Sequence, residues 1–265
     1  MKKLITFSLV VLLSWTASSQ DLFKVINVNG EIFANKANAN LESGIEVASD
    51  DEFDFIAPNS RAAMINSELG RVILTEQNSE DAFARAAFAP AMTSISTRGT
   101  AVASTAELQH LFTGNMIIID RLELKINSQY YPMDDKNFFY INYIYENEPV
   151  NKRLSFKNDI MIVDKAELFS IDGNPIDHSG VENLKLFYYV KQNIPESTLI
   201  AEFDMGFVDG EQIKPEVQII VQELNEKPFD VIITEVHEYL KAFYGVAVRT
   251  NLESWLDSEF NVKND

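Results

Sequence analysis

Along the middle of this chain, from Val25 to Phe207, apolar residues recur mainly at every second position; from Val217 to Leu256 they recur every three to four. A period of two lines one face of a strand, and a period of 3.6 lines one face of a helix. A chain that runs through strands first and helices last does not wind alternating β-α-β units. The expected class is therefore α+β.

The strands come in two groups. In residues 22–75 they are short and punctuated by tight turns. Val25 to Val28 leads into Asn29-Gly30 and then Glu31-Ile32-Phe33. Asn-Gly between apolar runs predicts a hairpin, because both turn positions take positive φ. Leu69-Gly70, between Arg61–Asn66 and Arg71–Leu74, predicts a second one. Five or six strands in so short a stretch predict a small barrel or sandwich. The run VNGEI, LESGIEV, FDFIAPNSRAAMI and LGRVIL, between Val28 and Leu74, resembles the FecR-like, SH3-like β modules of bacterial exported proteins. That resemblance implies an SH3-like β fold for the N-terminal third and transfers no functional residue. FecR-like modules that carry a membrane helix take part in envelope signalling. The chain as a whole is similar to exported proteins of Gram-negative bacteria.

Residues 76–106 change character. Ala82 to Ala91 is rich in Ala and Phe, and Met92 to Ser104 is rich in Ser, Thr and Ala around Arg98-Gly99. The expected organisation is a β module over 20–94, a linker over 95–104 and an α+β domain over 105–262. Ser104 with Glu107 has capping-box spacing and predicts a brief helix that stops at Gly114. Long strands are expected at Met116–Ile126 and Phe138–Tyr145, with shorter ones through Phe207. Three helices close the chain. Pro215 is read as the first turn of one. Phe229, Ile232, Ile233, Val236, Leu240 and Phe243 form the stripe of the next, and Thr250 with Glu253 is read as the capping box of the last.

The first residues carry an address. Lys2 and Lys3 precede an apolar run from Leu4 to Leu13, and Ala17-Ser18-Ser19 offers small residues for cleavage. This is the pattern of a cleavable signal peptide over 1–19, with the mature chain starting at Gln20 or Asp21. The ten-residue run falls well short of the roughly 20 residues that span a bilayer, so no integral membrane segment is expected after cleavage. The expected location is periplasmic or secreted. Zero cysteines exclude disulfides and thiolate metal sites, and leave stability to packing. The net charge is -18, and losing Lys2 and Lys3, with no acid among residues 1–19, takes it to -20. Such a field repels nucleic acid, which is not expected as a partner.

Three histidines give little chemistry. His237-Glu238 opens like a zincin motif, but Lys241 stands where the second histidine belongs, so His237 beside Glu235 and Glu238 is read as a solvated helix face. Asp177-His178-Ser179 lacks the elbow that a catalytic serine needs. The acidic cluster Asp50-Asp51-Glu52 with Asp54, and the pair Asp134-Asp135, match no calcium loop and are read as solvated. No catalytic residue, metal or cofactor is expected. The segment Phe138 to Tyr145 is apolar or amphipathic on both faces and is read as a central strand covered on each side. Its Tyr140, Tyr143 and Tyr145 are candidate ligand-binding residues, because tyrosine joins a large apolar area to a polar tip. The expected function is that of a binding or interaction protein in the envelope, with a protein or glycan as partner. The alternatives are a hydrolase acting on envelope glycan or peptide through carboxylates, and a soluble partner of an envelope signalling complex.

Overall fold

The computed structural model describes residues 21–90, 101–112 and 115–263. The signal segment and residues 95–100 of the expected linker lie outside the described residues. The fold is mixed α+β, with three helices at the C-terminal end.

Seven strands occupy the N-terminal part: β1 Leu22–Asn29, β2 Ile32–Ala34, β3 Ala39–Asn40, β4 Glu46–Ala48, β5 Phe53–Phe55, β6 Arg61–Asn66 and β7 Gly70–Thr75. They form two antiparallel sheets, β4-β1-β6-β7 and β3-β2-β5. No sheet among the described residues closes into a barrel. The two sheets share one core that includes Phe23, Val25, Ile32, Val47, Met64 and Leu74.

Asn29-Gly30 is not a hairpin, because β1 and β2 do not pair; it is the corner where the chain leaves one sheet for the other. Gly30 sits at φ +91°, and a Cβ there would lie 2.2 Å from Ser60 Oγ. That hydroxyl accepts the Glu31 N–H at 2.9 Å and pins the corner. The Leu69-Gly70 hairpin does form, with Asn66 Oδ1 accepting the N–H groups of Glu68 and Leu69 at 2.8 Å.

The second part starts with α1 Thr105–Leu111. Ser104 Oγ accepts the Glu107 N–H at 3.2 Å, as its spacing predicts. There follow β8 Asn115–Ile119, β9 Arg121–Lys125, β10 Asn137–Tyr145, β11 Glu148–Arg153, β12 Ser155–Lys157, β13 Ile160–Asp164, α2 Lys165–Leu168, β14 Ser170–Ile171, β15 Asn174–Pro175, β16 Glu182–Val190 and β17 Glu196–Val208. Then come α3 Gly210–Glu223, α4 Phe229–Phe243, β18 Val246–Ala247 and α5 Arg249–Phe260. The main sheet runs β11-β10-β16-β17-β8-β18, antiparallel up to β17 and parallel beyond it. A smaller sheet, β12-β13-β9, and the β14-β15 hairpin complete the part.

The apolar run Met116–Ile126 is two strands, not one. Asp120 adopts φ +55° between them, which lets β8 join the main sheet and β9 the smaller one. Its carboxylate accepts the Gly210 N–H at 2.9 Å, at the start of α3. That helix therefore begins earlier than Pro215 suggests: Asp209 caps it, and the exposed Pro215 lies inside it. An exposed proline costs one backbone bond on the solvent side, which the packed opposite face offsets. Thr250 does not cap α5, whose flanking residue is Val248; Glu253 instead accepts Arg249 Nε at 2.7 Å.

The strand β8 is packed on both faces. Met116 and Ile118 enter a core with Leu108, Ile141, Leu186 and Phe203. Ile117 and Ile119 enter another, with Val217, Ile233, Leu240 and Leu256 of the three helices and with Ile26, Ala63 and Ile65 of the N-terminal sheet. Burial on both sides explains why four consecutive apolar residues stand there. Among the described residues, no helix is long and apolar enough to cross a membrane.

Candidate functional site

Successive side chains of a strand point to opposite faces of its sheet. In β10 this separates the three candidate tyrosines. Tyr143 is fully buried, and its hydroxyl donates to the Leu168 carbonyl at 2.9 Å. Burial pushes its pKa up. Tyr145 is half-buried and packs against the same core. Tyr140 projects from the opposite face, half-buried, with its ring stacked on Phe187 at 5.0 Å and 6°.

That opposite face is where the structure departs from a strand covered on each side. Phe139, Ile141 and Tyr143 are buried, whereas Phe138, Tyr140, Asn142 and Ile144 are only half-buried and belong to none of the three cores. The reason is the reach of the helices. Helices α3–α5 cover β8 and β18 at one end of the main sheet, α1 packs on β17 from the Tyr143 side, and among the described residues the Tyr140 side of β11-β10-β16-β17 shares no core with a helix.

Cross-strand register assembles a row there: Arg153 opposite Tyr140, Tyr140 opposite Phe187, and Phe187 opposite Leu199. A second row sets Phe138 opposite Tyr189, their rings 4.8 Å apart. The Arg153 guanidinium lies 4.5 Å over Phe138, within cation–π range, and donates to the Asp134 carbonyl at 3.0 Å. Leu199 is 42% exposed. A polar row borders the aromatic ones: Asn142 Nδ2 donates to Asn151 Oδ1 at 3.0 Å, and Lys185 pairs with Glu202 at 3.0 Å. The patch is thus apolar in the middle and polar at its rim. Because Tyr140 and Phe187 turn their faces to each other, they offer mainly ring edges outward.

Of the residues that form this patch, the sequence reading named Tyr140 and not Phe187, Tyr189, Arg153 or Leu199. The signal was present in part: Phe187 and Tyr189 alternate along β16 as Phe138 and Tyr140 do along β10.

The other candidates resolve as follows. Ser179 Oγ donates to Asp177 Oδ2 at 2.7 Å, which with the Ser179 N–H holds that carboxyl below its usual range. His178 packs its ring 5.4 Å from Phe169 instead. Asp51 is buried and accepts the N–H groups of Lys36 and Ala37 at 2.7 and 3.1 Å, as a loop clasp. Asp134 likewise accepts the Lys136 and Asn137 N–H groups at the turn before β10. Among the described residues, no three His, Asp or Glu side chains converge as metal ligands.

The helix face of Glu235 and His237 is not solvated. Glu235 is fully buried; its carboxylate accepts Arg71 Nε at 3.1 Å and the Ala89 N–H at 2.5 Å. Tyr239, also buried, donates to Glu216, which Tyr244 reaches as well at 2.8 Å, and Asn27 of β1 donates to the Tyr239 hydroxyl at 3.2 Å. Burial and the Glu216 carboxylate push the Tyr244 pKa up to about 12. These contacts tie the N-terminal sheet to α3 and α4.

His237 is buried, with Nδ1 3.4 Å from Glu238 Oε1. Desolvation holds its pKa below 6.5, against the opposing pull of Glu238 and the Ala247 backbone. The folded protein therefore keeps it neutral where an unfolded chain would take up a proton. Its contribution is intact above pH 6.5 and lost as pH falls from there through the folded-state value. Melting temperature is expected to drop as pH falls below 6.5, and to drop less in His237→Leu. Equal drops in the two proteins would show that the histidine is not the cause.

Compared with known protein families, curated proteins and solved structures, the chain matches none.

Proposed function

We propose that this is an exported binding protein that engages a partner protein of the envelope through the open aromatic face of its main sheet. One observation carries this reading: four half-buried rings, Phe138, Tyr140, Phe187 and Tyr189, lie side by side outside the three cores of the described residues. Aromatic residues and arginine, ringed by polar groups, are the composition of protein-binding hot spots. A glycan is the weaker partner. Sugars stack on free ring faces, and Tyr140 and Phe187 spend theirs on each other. The signal-peptide pattern of residues 1–19 and the FecR-like resemblance of the N-terminal strands support a partner in the envelope.

The test is photo-cross-linking in intact cells from a probe at Tyr189, with a control probe at Ile56, which is 57% exposed on the N-terminal part. A single dominant protein adduct is expected from Tyr189 and none from Ile56. The double variant Tyr140→Ser, Phe187→Ser is expected to abolish the adduct in a chain that still melts cooperatively. Equal labelling from both probes, or an adduct that survives the double variant, refutes the reading.

A further inference from the structure

Strand β17 is 13 residues long and is used unevenly. On one side β16 pairs with it from Glu196 to Phe203; on the other, β8 pairs only from Asp204 to Val208. Among the described residues, no strand pairs with that second side from Glu196 to Ala201. Every second residue of a strand directs its N–H and C=O to a given side, so among the described residues this stretch presents backbone groups without a strand partner. Glu196, Ser197, Thr198 and Leu199 are all exposed.

Proteins usually blunt such an edge with lysine, proline, extreme shortness, a bulge or a covering helix, and here α1 reaches only the Leu199–Glu202 end. The far edge of the same sheet follows that rule, since β11 carries Pro149, Lys152 and Arg153. The stretch Glu-Ser-Thr-Leu-Ile-Ala has neither lysine nor proline; its one irregularity is the extra residue Ile200, buried with Ala201, where the register slips between Leu186 and Phe187. Beside it runs a groove of about 330 Å³ lined by Gln109 and Phe112 from the α1 end and by Leu199 to Glu202. Leu199 belongs both to this groove and to the aromatic row.

We propose that the β17 edge from Glu196 to Ala201 binds an extended, basic segment of the partner protein by strand addition. This rests on the reading of the aromatic face as the partner surface, and names the form the partner takes. Only a polypeptide backbone matches a ladder of alternating donors and acceptors. Its alternate side chains fall on the aromatic face on one side and in the Phe112 groove on the other. The segment is basic because β17 carries Glu196 and Asp204, besides the Glu202 already paired with Lys185, and no cation, in a chain of net charge -18.

The test uses the full mature chain and peptides of about nine residues, the length of a long strand. One alternates valine with lysine, one valine with glutamate, and one keeps the lysines but carries prolines at its centre. Binding is read by fluorescence anisotropy and located by amide hydrogen exchange. The valine–lysine peptide is expected to bind and to slow exchange within residues 196–201. The proline peptide and the Leu199→Lys variant are each expected to weaken binding by about ten-fold or more, a difference of about 1.4 kcal/mol. Equal binding of the proline peptide would reduce the effect to net charge and overturn the proposal; so would protection confined to other residues. If the Tyr189 cross-link persists while no peptide protects 196–201, strand addition fails and the aromatic face stands. If the cross-link fails while the peptide protects that edge, the reverse holds.

Discussion

Glu235→Ala is expected to destabilise the protein by about 3–5 kcal/mol, the usual consequence of breaking a buried ion pair from one side. The Glu235 side chain is 1% exposed and that of Arg71 14%. Removing the carboxylate leaves a largely buried guanidinium and the half-buried Ala89 amide without their partner. Typical domains hold only about 5–15 kcal/mol in all, so a large share would go with one side chain. The double variant Arg71→Leu, Glu235→Leu is expected to recover most of the loss, because it removes both charges together. Urea melts of the single and double variants decide the matter. A single variant that loses less than about 1 kcal/mol, the range of an exposed pair, would mean that the pair is solvated.

Ile233→Ala is expected to cost about 2–5 kcal/mol, from lost transfer free energy and the cavity left behind. Ile233 is fully buried where α4 meets the N-terminal sheet and the other two helices. Glu238→Ala, on the same helix, removes a carboxylate that pairs with Lys241 at 3.3 Å on a partly exposed surface, and is expected to cost under about 1 kcal/mol. Thermal melts of the two variants side by side make the comparison. Unchanged melting for Ile233→Ala would place the stripe at the surface, as a binding face in its own right.

The class of the fold was legible because period reports directly on element type. The two-residue alternation and the later 3.6 stripe each correspond to an observed block of structure. The Ser104 cap was legible for a similar reason: its chemistry is complete within four residues. What failed to show depends on groups far apart in the chain. Glu235 and His237 look solvated because their neighbours in sequence are charged, yet Arg71 and Ala89 reach Glu235 from 164 and 146 residues away. Asn29-Gly30 has the residues of a hairpin, but whether its flanking strands pair is settled by β4, β5 and β6. The open face was half legible. Aromatic residues on both sides of β10 fit a covered strand and an uncovered one equally well, and only the reach of α3–α5 separates them.

The core that joins Ile26, Ala63 and Ile65 to the last three helices has a consequence in time. Its ties span most of the chain: Asn27 meets Tyr239 across 212 residues. Contacts so distant in sequence make for slow folding, because loop closure must precede any gain from contact. At ~5–20 residues per second of synthesis, the N-terminal strands exist for on the order of ten seconds before α4 and α5 do. Through that interval one face of the β4-β1-β6-β7 sheet has nothing to pack on. Under the export proposed above, such a delay would leave the chain still threadable through a membrane pore, and its length is set by the order of the elements.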